Sequence, residues 1–309
     1  MYIDVKLANE SYDSCLMLLY KSKEQFQDLM KNSVVQEVRV NELTPPIDFL
    51  RYSTSDSDLD AKYSPDTLES IIKSIHNHLY DLLGNHTKFW LQTHVPFSAE
   101  GPLYLPQLQN IQKLEVFLGE VLVHGKVLDP TKVDEFLDRS TCLEQFSFST
   151  LGDSIKLREN SKLYDLDTVY VSSFGSPMAN DVLKRFNGRH AFLTRNIATS
   201  DVIQFLNEWR SGEKFTNLEL ISVECRRFNL QEIRKSVDIK EVDREVKYSF
   251  IRKLEENRQF SHLESGEFKS RSYIVRESDG HVASVMLTDE FIMMGVWNMT
   301  EKEFLIKFN

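Results

Sequence analysis

The sequence predicts an α/β chain: an irregular, leucine-rich-repeat-like solenoid of parallel strands and short helices, closed by a C-terminal antiparallel β-meander. Three observations predict it. A strand pattern of the form L-x-x-L-x-L recurs from Ile111 to Val223. Short amphipathic helices lie between several of its copies. After residue 230 that rhythm gives way to apolar strands joined by an Asp-Gly turn.

The elements follow in order. Met1–Leu7 alternates as a strand, and Val35, Val38 and Val40 give an early L-x-x-L-x-L. Ser53–Asp60 is polar and acidic and reads as a surface loop. Ser64–Pro65–Asp66 opens a helix, with proline early and an acid in the first turn. Leu68, Ile71, Ile72, Ile75, Leu79, Leu82 and Leu83 carry its apolar stripe to Gly84. The repeat then runs as Ile111–Leu114–Val116, Leu143–Phe146–Phe148, Leu166–Val169–Val171, a degenerate copy at Ala191 and Leu193, and Leu218–Ile221–Val223. The last apolar positions, 116, 148, 171, 193 and 223, are 32, 23, 22 and 30 residues apart, around the ~20–29-residue period of leucine-rich repeats. Helices are expected at Val133–Phe136–Leu137, at Val182–Leu183–Phe186 and at Val202–Trp209. Strand, helix, strand at this spacing implies a parallel sheet.

Thr199–Val223 is the best-formed unit. Thr199 or Ser200 can cap the helix, and Asp201 suits the positive end of its dipole. Val202, Phe205, Leu206 and Trp209 form one stripe, and Gly212 supplies the stop. A strict repeat carries Asn or Cys three residues after its last Leu. Here those positions hold Gly119, Leu151, Phe174, Asn196 and Arg226, so the solenoid is expected to be irregular. An ordinary α/β domain with chance matches is the competing reading. After residue 230, Lys240–Asn257 reads as a charged helix. Tyr273–Val275, the Asp279–Gly280 turn and Val282–Leu287 read as a hairpin. Phe291–Trp297 gives a third strand, with Phe304–Phe308 a candidate fourth. The chain thus divides into 1–110 (strands plus helix 66–83), 111–230 (the repeats) and 231–309 (charged helix and meander cap), read as one continuous domain.

Composition narrows the function. Of 309 residues, 41% are hydrophobic, which supports a sizeable core. The charge is 37 − 47 = −10, against nucleic-acid or anionic-membrane partners, which need clustered Lys and Arg. Arg226–Arg227 and Arg271 make no basic field. Cys15, Cys142 and Cys225 are odd in number and far apart, which suits a reducing compartment, cytoplasmic or nuclear. The apolar run at Cys15–Tyr20 is too short for a signal peptide or a membrane span. The N-x-S/T matches at Asn9, Asn85 and Asn298 are read as chance.

Two segments together resemble the nematode F-box-associated domain, type 2. Phe205, Leu206, Trp209, Arg210 and Gly212 match its helix signature, and Asn207 stands near the family's polar position. Tyr273, Arg276, Asp279, Gly280 and Trp297 match its terminal hairpin. The resemblance is sharpest over about residues 160–298. It implies a module that holds a protein substrate for ubiquitin ligation, or sequesters it. In that family an F-box docks on a Skp1-type adaptor. Met1–Leu7 reads instead as a strand and no Leu-Pro-rich helix trio is legible, so an adaptor contact is expected only if an F-box lies outside this chain.

Chemistry is sparse by comparison. Gly152-Asp153-Ser154-Ile155 is similar to the nucleophile block of GDSL hydrolases, which makes a serine hydrolase using Ser154 the alternative from another class. That family needs a downstream D-x-x-H, whereas Asp279-Gly280-His281 is one residue short and sits in a turn. His76 and His78, with His86 and His94 near in sequence, lie i and i+2 on a helix and project to different faces, so they read as surface or helix-end histidines rather than metal ligands. No phosphate-cradling glycine loop is present, and Glu255–Glu256 reads as solvated charge. Trp209 and Trp297 read as core, with partner anchoring the other use of each; Trp90 supports either. The expectation is a non-enzymatic protein-recognition module without metal or cofactor, a scaffold unconnected with ubiquitin being the third reading.

Overall fold

A computed structural model describes residues 2–6, 14–16, 35–40, 47–52, 59–62, 68–83, 88–95, 108–118, 130–150, 156–173, 177–194, 197–225, 227–250 and 266–308. The chain is mixed α/β with antiparallel strands toward its C-terminus. It divides into two compact units, Met1–Lys162 and Leu163–Asn309. That division falls inside the stretch 111–230.

In the first unit, β1 (Tyr2–Lys6) pairs antiparallel with β2 (Ser14–Leu16) on one side and with β6 (Lys88–Val95) on the other. From β6 the sheet continues in parallel through β7 (Ile111–Leu118) to β8 (Gln145–Thr150). A separate three-stranded sheet joins β3 (Val35–Val40), β4 (Ile47–Tyr52) and β5 (Leu59–Lys62). Here one expectation fails. The L-x-x-L-x-L at Val35–Val40 is an antiparallel strand paired with β4, because so short an apolar pattern does not fix the direction of pairing. Helix α1 (Leu68–Leu83) precedes β6, and α2 (Pro130–Arg139) links β7 to β8. Ile72, Ile75, Phe89, Leu91, Leu114, Val116, Val133, Phe136, Phe146 and Phe148 are all buried. All but Phe89 and Leu91 are apolar positions that periodicity selects.

In the second unit, β9 (Thr168–Ser173), β10 (His190–Thr194) and β11 (Leu220–Glu224) run parallel. Helices α3 (Met178–Arg185) and α4 (Thr199–Ser211) cross between them, and α5 (Leu230–Ser236) follows β11. Four further strands then turn back antiparallel: β12 (Lys240–Ser249), β13 (Glu267–Val275), β14 (His281–Leu287) and β15 (Phe291–Thr300). β15 lies beside β11, and the order runs β12-β13-β14-β15-β11-β10-β9. The meander therefore does not close the sheet; it extends it and leaves β12 as an edge.

Two C-terminal elements differ from expectation. Lys240–Ser249 is strand β12, not a charged helix. Val242 and Val246 are four residues apart, a spacing that fits one face of a strand as well as of a helix; a register shift lies between Glu241 and Val246. The rest of the predicted helix, 251–257, lies outside the described residues. Glu301–Phe308 is helix α6, not a fourth strand. Glu303 accepts from both the backbone N–H (2.7 Å) and the hydroxyl (2.8 Å) of Thr300, which starts a helix. Phe304 then packs against Tyr273. Helix α4 is capped by Ala198 with no side-chain bond, so neither Thr199 nor Ser200 caps it. The Thr199 hydroxyl accepts instead from the Asn229 N–H, 3.2 Å away.

Candidate functional site

The two segments that carry the family resemblance meet. Val202, Phe205, Leu206 and Trp209 bury the stripe of α4, and Trp209 is 0% exposed. Gly212 ends the helix with φ 80°, as its position predicts. The β13–β14 turn arrives there: the Glu277 N–H donates to the Arg210 carbonyl at 2.7 Å. The Arg276 guanidinium lies over the Trp209 ring, 5.2 Å from its centroid. Asp279 grips that guanidinium through Nε at 3.0 Å and Nη2 at 2.7 Å. It also accepts from the His281 N–H at 3.0 Å. The hydrogen bonds from Arg276, and then that from His281, hold the Asp279 carboxyl well below the usual carboxylate range. Arg276 is itself only 6% exposed. The carboxylate and guanidinium spend their capacity on each other, on backbone and, for Asp279, on the His281 ring 2.8 Å away, so this cluster fastens the hairpin to α4. Trp209 is core, as the sequence reading prefers.

What β9–β11 present to solvent follows from burial. Tyr170 and Phe192 stack at 4.5 Å on one face, packed with Leu220, Met293, Tyr248 and Phe268. The alternate residues Val169, Val171, Ala191, Leu193, Ile221 and Val223 are buried too. Neither face is a free surface; what these strands expose lies at their ends.

The rim at the N-terminal ends of these strands is built in register. β9 to β10 is an offset of 22 residues and β10 to β11 an offset of 30, from Val171↔Leu193 and Leu193↔Val223. The same offsets relate Asp165, Asn187 and Asn217. The Asn187 amide donates to Asp165 at 2.9 Å, and the Asn217 amide to the Asn187 carbonyl at 3.1 Å. They also relate Asp167, Arg189 and Glu219. Arg189 reaches Glu219 at 2.7 Å and Asp167 at 3.3 Å. Its pKa is raised, first by the Glu219 hydrogen bond. His190 stands between the same two carboxylates, 3.7 Å from Asp167 and 3.4 Å from Glu219. Behind them the Tyr248 hydroxyl donates to the Glu219 carbonyl at 3.0 Å. Arg189 and Glu219 are each 46% exposed, and ion pairs that open are worth only ~0–1 kcal/mol. The row contributes little to stability, but it displays alternating charge at fixed spacing.

Sequence reasoning missed this row because it sought the polar residue after each strand. All five positions it named for that role, from Gly119 to Arg226, lie outside the described residues. The signal was Asp and Asn recurring before each strand at the strand offsets. Ser154, His86 and Glu255–Glu256 also lie outside them, as do the side chains of His94 and Trp90. His78 is exposed while His76 is fully buried. The two do face apart, but His76 is a core residue rather than a surface one, set edge-on to Phe89 at 4.6 Å. Trp297 is half-buried and donates to the Ser284 hydroxyl at 2.9 Å. Among the described residues no group of three or more His, Cys, Asp or Glu is placed to hold a metal ion, and no helix is long and apolar enough to cross a membrane. No family model, curated protein or solved structure matches the chain.

Proposed function

We propose that this chain is a non-enzymatic protein-recognition module, built as an irregular repeat in which successive strand–helix coils offer equivalent residues to a partner. The observation that carries this is the matched offset of strands and rim: 22 and 30 residues serve both the sheet pairing and the Asp167–Arg189–Glu219 row. Side chains repeated at the strand spacing suit a protein surface better than a small molecule. The resemblance to the F-box-associated domain adds the role of selecting or sequestering a protein in a cytoplasmic or nuclear compartment. The clasp between α4 and the β13–β14 turn supports it, since the matching residues interlock. A Skp1-type adaptor enters only through an F-box outside this chain.

The test is affinity purification of the tagged chain beside a double charge swap, Arg189→Glu with Glu219→Arg. The swap preserves the 189–219 pair and changes the displayed order of charge along the row from −/+/− to −/−/+. Loss of specific partners with an unchanged melting curve supports the reading, and an identical partner set overturns the row as the contact. Recovery of a Skp1-type adaptor favours the ligase role over sequestration. Esterase activity abolished by Ser154→Ala would replace the whole proposal.

A further inference from the structure

We propose that the cleft before β7 and β8 binds a peptide carboxylate, with Arg139 as its anchor. This rests on the recognition function above and adds a second contact to it, away from the charged row. The cleft has a volume of about 330 Å³ and is lined by Leu108, Gln109, Asn110 and Ile111 on one wall and by Arg139, Ser140, Thr141 and Cys142 on the other.

Both walls are fixed by backbone. The Phe89 N–H donates to the Asn110 carbonyl at 3.4 Å, and the Glu144 N–H to the Gln112 carbonyl at 2.9 Å. Ser140 closes α2 by donating its N–H (3.0 Å) and its hydroxyl (2.8 Å) to the Phe136 carbonyl. Gln109, Arg139 and Thr141 are exposed and Leu108 partly so, while Ile111 is buried beneath them. A volume at the low end of the ~300–1,000 Å³ of small-ligand sites holds one or two peptide residues.

Charge selects the ligand class. This chain has a net charge of −10, and five of its arginines are already engaged by carboxylates. Arg158, Arg189, Arg210, Arg234 and Arg276 each pair with a carboxylate. Arg139 makes no ion pair among the described residues, and no other charged residue lines the cleft. It stands in the last turn of α2, where the helix dipole favours a cation. A guanidinium fork matches a carboxylate with two parallel hydrogen bonds. One cation balances one carboxylate, whereas a phosphate dianion calls for more. A Glu side chain and a free C-terminus carry the same group, so both are sources to be separated.

The experiment is an NMR titration of the full chain with three peptides: Gly-Glu-Gly blocked at both ends, Gly-Gly-Gly with a free C-terminal carboxylate, and blocked Gly-Gln-Gly. The expected result is a shift of the Arg139 Nε–H and the Gln109 and Thr141 amides with one or both carboxylate peptides. Affinity should fall at least tenfold in Arg139→Gln and be partly kept in Arg139→Lys. The responding peptide identifies the source. Equal response to Gly-Gln-Gly, unchanged affinity in Arg139→Gln, or a response to inorganic phosphate alone overturns the proposal, as does no response at all. Those outcomes leave the charge-swap test at Arg189 and Glu219 standing, so the two readings fail separately.

Discussion

Replacing Gly212 by alanine probes the joint where α4 meets the β13–β14 turn. Two costs add. Gly212 has φ 80°, and an L-residue in the left-handed region costs ~1–2 kcal/mol. The new Cβ would lie 2.1 Å from the Ser278 hydroxyl oxygen and 2.5 Å from its Cβ. The oxygen can rotate away, but the Cβ moves only with the turn, and overpacking of this kind costs ~1–3 kcal/mol. Gly212→Ala should therefore destabilise by about 2–5 kcal/mol in total. Ser278→Gly removes both clashing atoms, so in that background Gly212→Ala should cost only the ~1–2 kcal/mol of the backbone term. The assay is equilibrium urea unfolding of the full chain, followed by tryptophan fluorescence. Trp209 lies three residues before the substitution and reports this joint. A cost within about 0.5 kcal/mol of zero, or an equal cost in both backgrounds, would refute the reasoning.

Asp279→Asn leaves the buried Arg276 without its anion. Because Asp279 is itself more than a third exposed, the cost should be about 2 kcal/mol rather than the ~3–5 of a fully buried pair. The folded pKa of Asp279 is depressed, so its stabilisation is present above the ordinary value near ~3.9 and lost as pH falls below it; the variant should show a shallower acid limb in urea midpoints. Tyr248→Phe removes a phenol that donates to the Glu219 carbonyl and is also 3.2 Å from the Val296 carbonyl, costing ~1–2 kcal/mol in thermal unfolding. Burial, then the Glu219 charge, pushes this phenol up to about 12. Its contribution should therefore hold below pH ~10 and disappear toward 12, and the variant should lack that part of the alkaline loss. Burial lowers the pKa of His76, partly opposed by the Gln109 backbone, so its folded pKa lies below the unfolded one. Stability should fall as pH drops below ~6.5, and His76→Leu should flatten that slope between pH 7.5 and 5.

Local periodicity located the strands and helices of the repeat region well, because α2, α3 and α4 each bury one stripe and the apolar residues of the strands between them are buried. It failed where a local signal was overruled. The four-residue spacing of Val242 and Val246 fits a strand face as well as a helix face, so it does not distinguish the two. The apolar run at Phe304–Phe308 fits a strand equally well until the Thr300–Glu303 cap starts a helix. The candidate site was less legible still. Arg276 and Asp279 were visible as a motif, but nothing in their neighbourhood said that they close on Trp209, some 70 residues away along the chain.

By itself the sequence determined composition-level properties and the places where apolar faces form, since burial of such faces follows from spacing along a few turns or strand residues. It also determined the helix stop at Gly212, which depends on one residue's freedom to take positive φ. Tertiary structure alone decided that β15 lies beside β11, that both faces of β9–β11 are covered, and that Asp167, Arg189 and Glu219 form one row. Those outcomes depend on hydrogen-bond register between strands 22 to about 70 residues apart. Register is an energy of pairing between distant segments, and no local pattern carries it.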